Sequence, residues 1–194
     1  MATPHSQEIA CQQVLVEDAS VFSLQWSIFP ISIADSLTPD ILRNRYLDYI
    51  RSCTATLIRP TFFEEGVEFR LLSSSISLIS FLPPDNRQDK NVSILRICGG
   101  ILVQPRQCDR GELRFGVEQV DAGVKVSLLL CDFCPLILGG PSPSPVRFWL
   151  YRLTQAFIHR LVTIRFLTML YRNLAGSSAP VRLVKIRVRD GQPV

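Results

Sequence analysis

Residues 143–176, PSPVRFWLYRLTQAFIHRLVTIRFLTMLYRNLAG, decide how this chain is read. Ser144 suits a helix N-cap, Pro145 suits the first helical position, and Gly176 is placed to end the helix. At about 100° per residue, Trp149, Leu150, Leu153, Phe157, Leu161, Ile164, Leu167 and Tyr171 share one stripe. Phe148, Tyr151, Ile158, Val162, Phe166 and Met169 cover a second sector. A helix over residues 146–175 that is apolar on two sectors is predicted to be enclosed on more than one side.

The residues upstream must supply that enclosure, and 67–138 read as successive strands. Gly66 opens a strand over 67–82, closed by the turn signal Pro83-Pro84-Asp85-Asn86. A strand over 91–98 follows, and Gly99-Gly100 supplies a bulge or bend before 101–104. Across 111–120, Leu113, Phe115 and Val117 alternate with Glu112, Arg114 and Glu118. Asp121-Ala122-Gly123 is a hairpin connection, and Val124, Val126, Leu128 and Leu130 share one face of the next strand. Connections this short make the neighbours antiparallel. Further upstream, 21–33 read as a first strand with an edge or bend at Pro30, and Thr38-Pro39-Asp40 starts a helix over 39–51. Residues 53–63 allow a short strand or a helical turn.

The expected organisation is a single α+β domain: a flexible segment over 1–20, a core over 21–176, and a basic tail or edge strand over 177–194. In that tail Val184, Ile186 and Val188 alternate with Lys185, Arg187 and Arg189. At 194 residues and 47% hydrophobic content the chain can bury one full core, and its 20% charged content argues against disorder. The N-terminus lacks the basic and apolar regions of a signal peptide, and the long helix carries Arg147, Arg152, Arg160, Arg165 and Arg172. Arginines are costly at bilayer mid-depth, so a soluble cytoplasmic protein is predicted. The net charge of +4 is uneven: from Pro145 onward nine Lys/Arg face one acid, Asp190, while the remainder carries twelve basic and sixteen acidic residues. That basic end either attracts phosphates or an anionic membrane, or its helix arginines are solvated or pair with acids of the sheet such as Glu112, Glu118 and Asp121.

The order strand, helix, antiparallel strands and long terminal helix, over about residues 21–175, resembles the helix-grip fold of the START-like superfamily, also described as the polyketide cyclase and lipid-transport group. The resemblance implies a curved antiparallel sheet wrapped around the C-terminal helix, with an apolar or amphipathic ligand held between them. Some members of the group are cyclases. The basic tail after Gly176 lies outside the usual pattern.

Chemistry-bearing residues are sparse. Cys131-Asp132-Phe133-Cys134 is a CxxC in a strand, where positions three apart face opposite sides, and a zinc site would need two further ligands from Cys11, Cys53, Cys98, Cys108, His5 or His159. No metal or cofactor is expected. Ser73-Ser74-Ser75 lies within the 67–82 strand without the glycines of a nucleophile elbow. Extending the inward faces by two residues places Asp132 and Arg96 inside, where with Tyr151 and His159 they would form a polar end to a cavity otherwise lined by Phe115, Leu128 and Leu130. The alternative, which the sequence favours, is that the twist near Gly99 and Pro135 swings both charged groups to solvent.

Three readings follow. The first is a non-catalytic module binding a hydrophobic small molecule or lipid between sheet and terminal helix. The second is a cyclase- or hydrolase-like enzyme working in the same cavity through Asp132, His159 and Arg96. The third is a peripheral protein whose basic end contacts an anionic membrane. Nucleic acid is not expected as a partner, because no aromatic residues are interleaved with the tail cations.

Overall fold

A computed structural model describes residues 6–85, 90–105, 110–140, 143–176 and 180–194. Its sheet comprises β1 (Gln7–Leu15), β2 (Val21–Phe29), β3 (Ile58–Phe63), β4 (Gly66–Leu71), β5 (Ser77–Phe81), β6 (Val92–Gly99), β7 (Glu112–Val120), β8 (Gly123–Phe133), β9 (Val181–Lys185) and β10 (Gln192–Pro193). The strand order is β10-β1-β2-β8-β7-β6-β5-β4-β3, with β9 also on the free edge of β1. All neighbours are antiparallel except β1 and β9.

Two short helices, α1 (Ile31–Ala34) and α2 (Pro39–Cys53), precede β3. The C-terminal helix is continuous over 31 residues: α3 (Pro145–Tyr151), a π-helical turn (Arg152–Ala156) and α4 (Phe157–Ala175). The architecture is α+β, a large curved antiparallel sheet with a long C-terminal helix across it, which is the helix-grip arrangement.

The helix boundaries follow from local chemistry. Thr38 Oγ1 accepts from the Ile41 amide at 3.2 Å, and Ser144 Oγ accepts from the Arg147 amide at 3.4 Å, satisfying donors that a first turn leaves free. Gly176 closes α4 with φ +62°, a conformation that favours glycine. Residues Asp121 and Ala122 form the two-residue turn between β7 and β8, with Val120 opposite Gly123.

The core lies between the inner sheet face and the pair α2–α4. Leu95 of β6, Phe115 of β7 and Val126 and Leu128 of β8 meet Leu42, Tyr46, Phe166, Leu167 and Leu170 of the helices. Tyr46 stands with its ring centroid 5.4 Å from that of Phe115 and 5.1 Å from that of Phe166, and Phe29 meets Tyr171 edge-on at 5.3 Å. Arg43, buried on α2, donates to Asp40 at 2.6 Å and to Ser93 of β6 at 2.7 Å, tying helix to sheet.

Several expectations are corrected. Residues 1–20 are not wholly a flexible lead-in, because Gln7–Leu15 is a sheet strand hydrogen-bonded to β2, β9 and β10. The strand expected over 21–33 ends at Phe29, and Pro30 starts α1. The strand expected over 67–82 is a hairpin, β4 and β5, and Ser73-Ser74-Ser75 lies in its turn after Leu72 at φ +53°. The C-terminal helix is not enclosed along its length, since Trp149, Leu150, Leu153, Phe157 and Ile158 are exposed. The π turn explains the difference: buried Tyr151 is followed by buried Ala156, a spacing of five that a helical period of 3.6 does not anticipate. Asn86, Cys108 and His5, singled out in the sequence, lie outside the described residues.

Candidate functional site

The inner face of β1 and β2 is polar. On β2 the inward row starts and ends with apolar Val21 and Phe29, and on β1 apolar Ile9 and Leu15 alternate with polar neighbours. On the same inner face Gln7, Gln13, Ser23, Gln25 and Ser27 are buried, while the apolar Phe22 belongs to a cluster on the outer face with Val14 and Cys131. These polar groups meet the C-terminal helix. Gln7 Nε2 donates to the Leu167 carbonyl at 3.2 Å, and Gln13 Nε2 donates to the Ala156 carbonyl of the π turn at 3.0 Å. Ser23 Oγ lies 3.2 Å from His159 Nδ1, and Gln25 Nε2 donates to Ser23 Oγ at 3.0 Å.

Part of this hydrogen-bonding capacity is unused. The side-chain carbonyl oxygens of Gln7, Gln13, Gln25 and Gln155 are buried without a donor among the described residues. A buried acceptor without a partner costs on the order of 1–3 kcal/mol, so a row of them marks a place where donors are missing. Burial pushes the His159 imidazole down from 6.5 to about 4, so it is neutral at physiological pH.

The row opens at one end into a groove of about 530 Å³, reached at Cys11 and Gln13. The groove exists because the tail crosses the β1 edge twice. β9 pairs with Gln7–Cys11, β10 pairs with Val14 and Leu15, and the chain between them loops outward. Gln12 holds that loop, accepting from the Val188 amide at 2.6 Å and the Arg189 amide at 3.0 Å and donating to the Arg189 carbonyl. Arg152 and Arg160 of the helix form one wall, and Lys185, Arg187 and Arg189 form the other. Leu153 and Phe157 border an adjoining pocket of about 150 Å³ that also reaches Gln13.

Arg187 pairs with Asp190 at 2.7 Å, and Arg189 lies 3.6 Å from Asp132. Arg152, Arg160 and Lys185 have no carboxylate partner among the described residues. The expected pairing of the basic end with Glu112 is not made: Glu112 is bound by Arg96 at 3.3 Å and Arg114 at 2.6 Å.

The sequence-derived site residues separate into two groups. Phe115, Leu128 and Tyr151 are buried in the core and Leu130 packs against it, so the space they were expected to line is filled by Tyr46, Phe166 and their neighbours. Arg96 is not inward. Ser93, Leu95 and Ile97 are the inner residues of β6, and Arg96 on the other face pairs with Asp85 at 3.5 Å as well as Glu112. Asp132 is not inward either. Between the pairs Ser23–Leu130 and Val21–Phe133, β8 holds an extra residue, and Asp132 at φ +53° turns outward to Arg189. Asp132, His159 and Arg96 therefore have three separate sets of partners. His159 alone joins the polar row.

Cys131 and Cys134 are free thiols, and burial pushes Cys131 up to about 11. No three His, Cys, Asp or Glu residues converge as a metal cluster among the described residues, and no helix there is long and apolar enough to cross a membrane.

Neither a family model nor a curated protein sequence matches the chain. Among solved structures it is similar to CalU16 from Micromonospora echinospora. The solution NMR structure has 15% identity and a TM-score of 0.40, with 91% of this chain and 79% of that chain covered. The crystal structure has 14% identity and a TM-score of 0.30, with 89% and 98% covered.

Proposed function

We propose that this chain is a non-catalytic module that binds a small amphipathic molecule at the end of the seam between β1, β2 and the C-terminal helix. The carrying observation is the groove of about 530 Å³ that ends on Cys11 and Gln13, where the buried carbonyl row begins. An apolar body would rest against Leu153 and Phe157, a hydroxyl or amide would donate to Gln13, and a carboxylate or phosphate would meet Arg152, Arg160 and Lys185. This moves the ligand away from the centre of the sheet, where side chains fill the space. Three groups that could have shared a reaction point to different partners, which supports binding rather than turnover.

Anilinonaphthalene sulfonate, an apolar ring system with one anionic group, is a suitable probe. It is expected to bind at one saturable site, and Arg152→Gln with Arg160→Gln to weaken it by about tenfold, the worth of one lost charge-assisted contact. Native mass spectrometry of freshly isolated protein should show a co-purified small molecule. Non-saturable probe binding, or equal affinity in the double variant with an unchanged urea midpoint, would reject the site.

A further inference from the structure

The first half of the C-terminal helix carries more exposed apolar surface than a soluble helix needs. Val146, Trp149, Leu150, Leu153, Phe157 and Ile158 are all exposed, Val146 by 76% and Leu153 by 66%. Six large apolar side chains within thirteen residues form a contiguous ridge, and ridges of this kind mark interaction sites. The ridge is available because α3 packs chiefly against the turn Leu136–Leu138 and turns only Tyr151 and part of Phe148 to the core.

The charges beside the ridge choose the partner. The helix contains no Asp or Glu, and Arg147, Arg152 and Arg160 flank the apolar residues. Arg152 also stacks over Trp149, its guanidinium 5.1 Å from the ring centroid. A second copy packed helix to helix on this ridge about a two-fold axis would gather the arginines of both helices around one interface with no helix acid to pair them, a like-charge arrangement. A surface that is anionic outside and apolar just beneath fits both features at once. We infer that residues 146–158 seat the protein on an anionic phospholipid bilayer, the helix lying in the interface with its apolar ridge among the upper acyl chains and its arginines at the headgroup phosphates. Tryptophan is favoured at that depth, where its ring is buried and its N–H stays hydrated.

The test uses the full chain with vesicles of equimolar phosphatidylglycerol and phosphatidylcholine, compared with phosphatidylcholine alone. Cosedimentation should occur with the first and fall at least about tenfold with the second. In a Trp26→Phe background, Trp149 emission should shift to the blue on binding. Val146→Glu with Leu150→Glu should reduce binding at least about tenfold while leaving the urea midpoint unchanged, because both side chains are exposed. Equal binding to both vesicle types, an unmoved Trp149 spectrum, or full binding by the glutamate variant would overturn the inference. A dimer in sedimentation velocity that the same variant dissociates would also overturn it, assigning the ridge to a second copy. Arg152, Leu153, Phe157 and Arg160 border both the ridge and the grooves at Gln13, so bilayer and small molecule would compete for them. Val146 and Leu150 border neither groove, so probe binding in the glutamate variant without vesicles reports separately on the small-molecule site.

Discussion

The two halves of the C-terminal helix share one composition and do different work. In α4, Phe166, Leu167, Leu170 and Tyr171 are buried against α2 and the sheet. In α3 and the π turn only Tyr151 and Ala156 are buried, while an equally apolar set faces solvent. Apolar content alone therefore does not locate a core. What decides is which side chains have a surface to meet, and here the first half of the helix packs chiefly against the turn Leu136–Leu138 while the second half lies on α2 and the sheet. One half holds the fold, and the other is left with surface to offer a partner.

The largest expected effect breaks this contrast directly. Phe166→Ala removes a fully buried ring that meets Tyr46 at 5.1 Å and Tyr49 at 5.5 Å, and should cost about 3–5 kcal/mol in urea denaturation. Ile158→Ala, eight positions earlier on the exposed half, should change stability by less than about 0.5 kcal/mol. Comparable losses at the two positions would mean that both halves are anchored.

Much of this architecture is legible in the chain because it rests on local chemistry. Thr38-Pro39-Asp40 and Ser144-Pro145 start helices where the caps say they should, and the hairpin at Asp121-Ala122 follows from two alternating runs with a turn between them. The polar seam is hidden by the same rule that reveals the other strands. In VFSLQWSIF the residues Ser23, Gln25 and Ser27 alternate with Phe22, Leu24, Trp26 and Ile28, and polar alternation is ordinarily assigned to solvent. Here it faces the helix, and the reversal appears only when β2 is seen between Val21 and Phe29, both in the core. Strand β1, QEIACQQVL, is obscured for the same reason, since its inward Gln7 and Gln13 interrupt the apolar pattern. The outward turn of Asp132 depends on one extra residue in β8, which no periodicity carries.

A second prediction addresses the junction of the two halves, where His159 meets Ser23. Burial holds the imidazole near 4 in the folded protein against 6.5 when unfolded, so the unfolded chain takes up a proton that the folded one refuses. This contribution is fully present above about 6.5 and is lost as pH falls towards 4. His159→Gln, which can still pair with Ser23, should flatten stability across that window in denaturation curves recorded at successive pH values. A variant with the same slope as the parent would show that His159 is hydrated in the folded state.

The smallest expected effect concerns the tether between the exposed half and the sheet. Gln13 Nε2 donates to the Ala156 carbonyl at 3.0 Å, and its own carbonyl is unpaired. Gln13→Leu removes a hydrogen bond worth about 1 kcal/mol but also removes a buried acceptor that had no donor, so the two terms largely offset. Global stability should move by about 1 kcal/mol or less. Amide exchange in the π turn should still quicken, because losing the tether raises the local opening rate without touching the α4 core. Unchanged exchange at residues 152–156 would show that the turn is held by the helix alone, and the exposed half would then be rigid in its own right instead of held in place from the sheet edge.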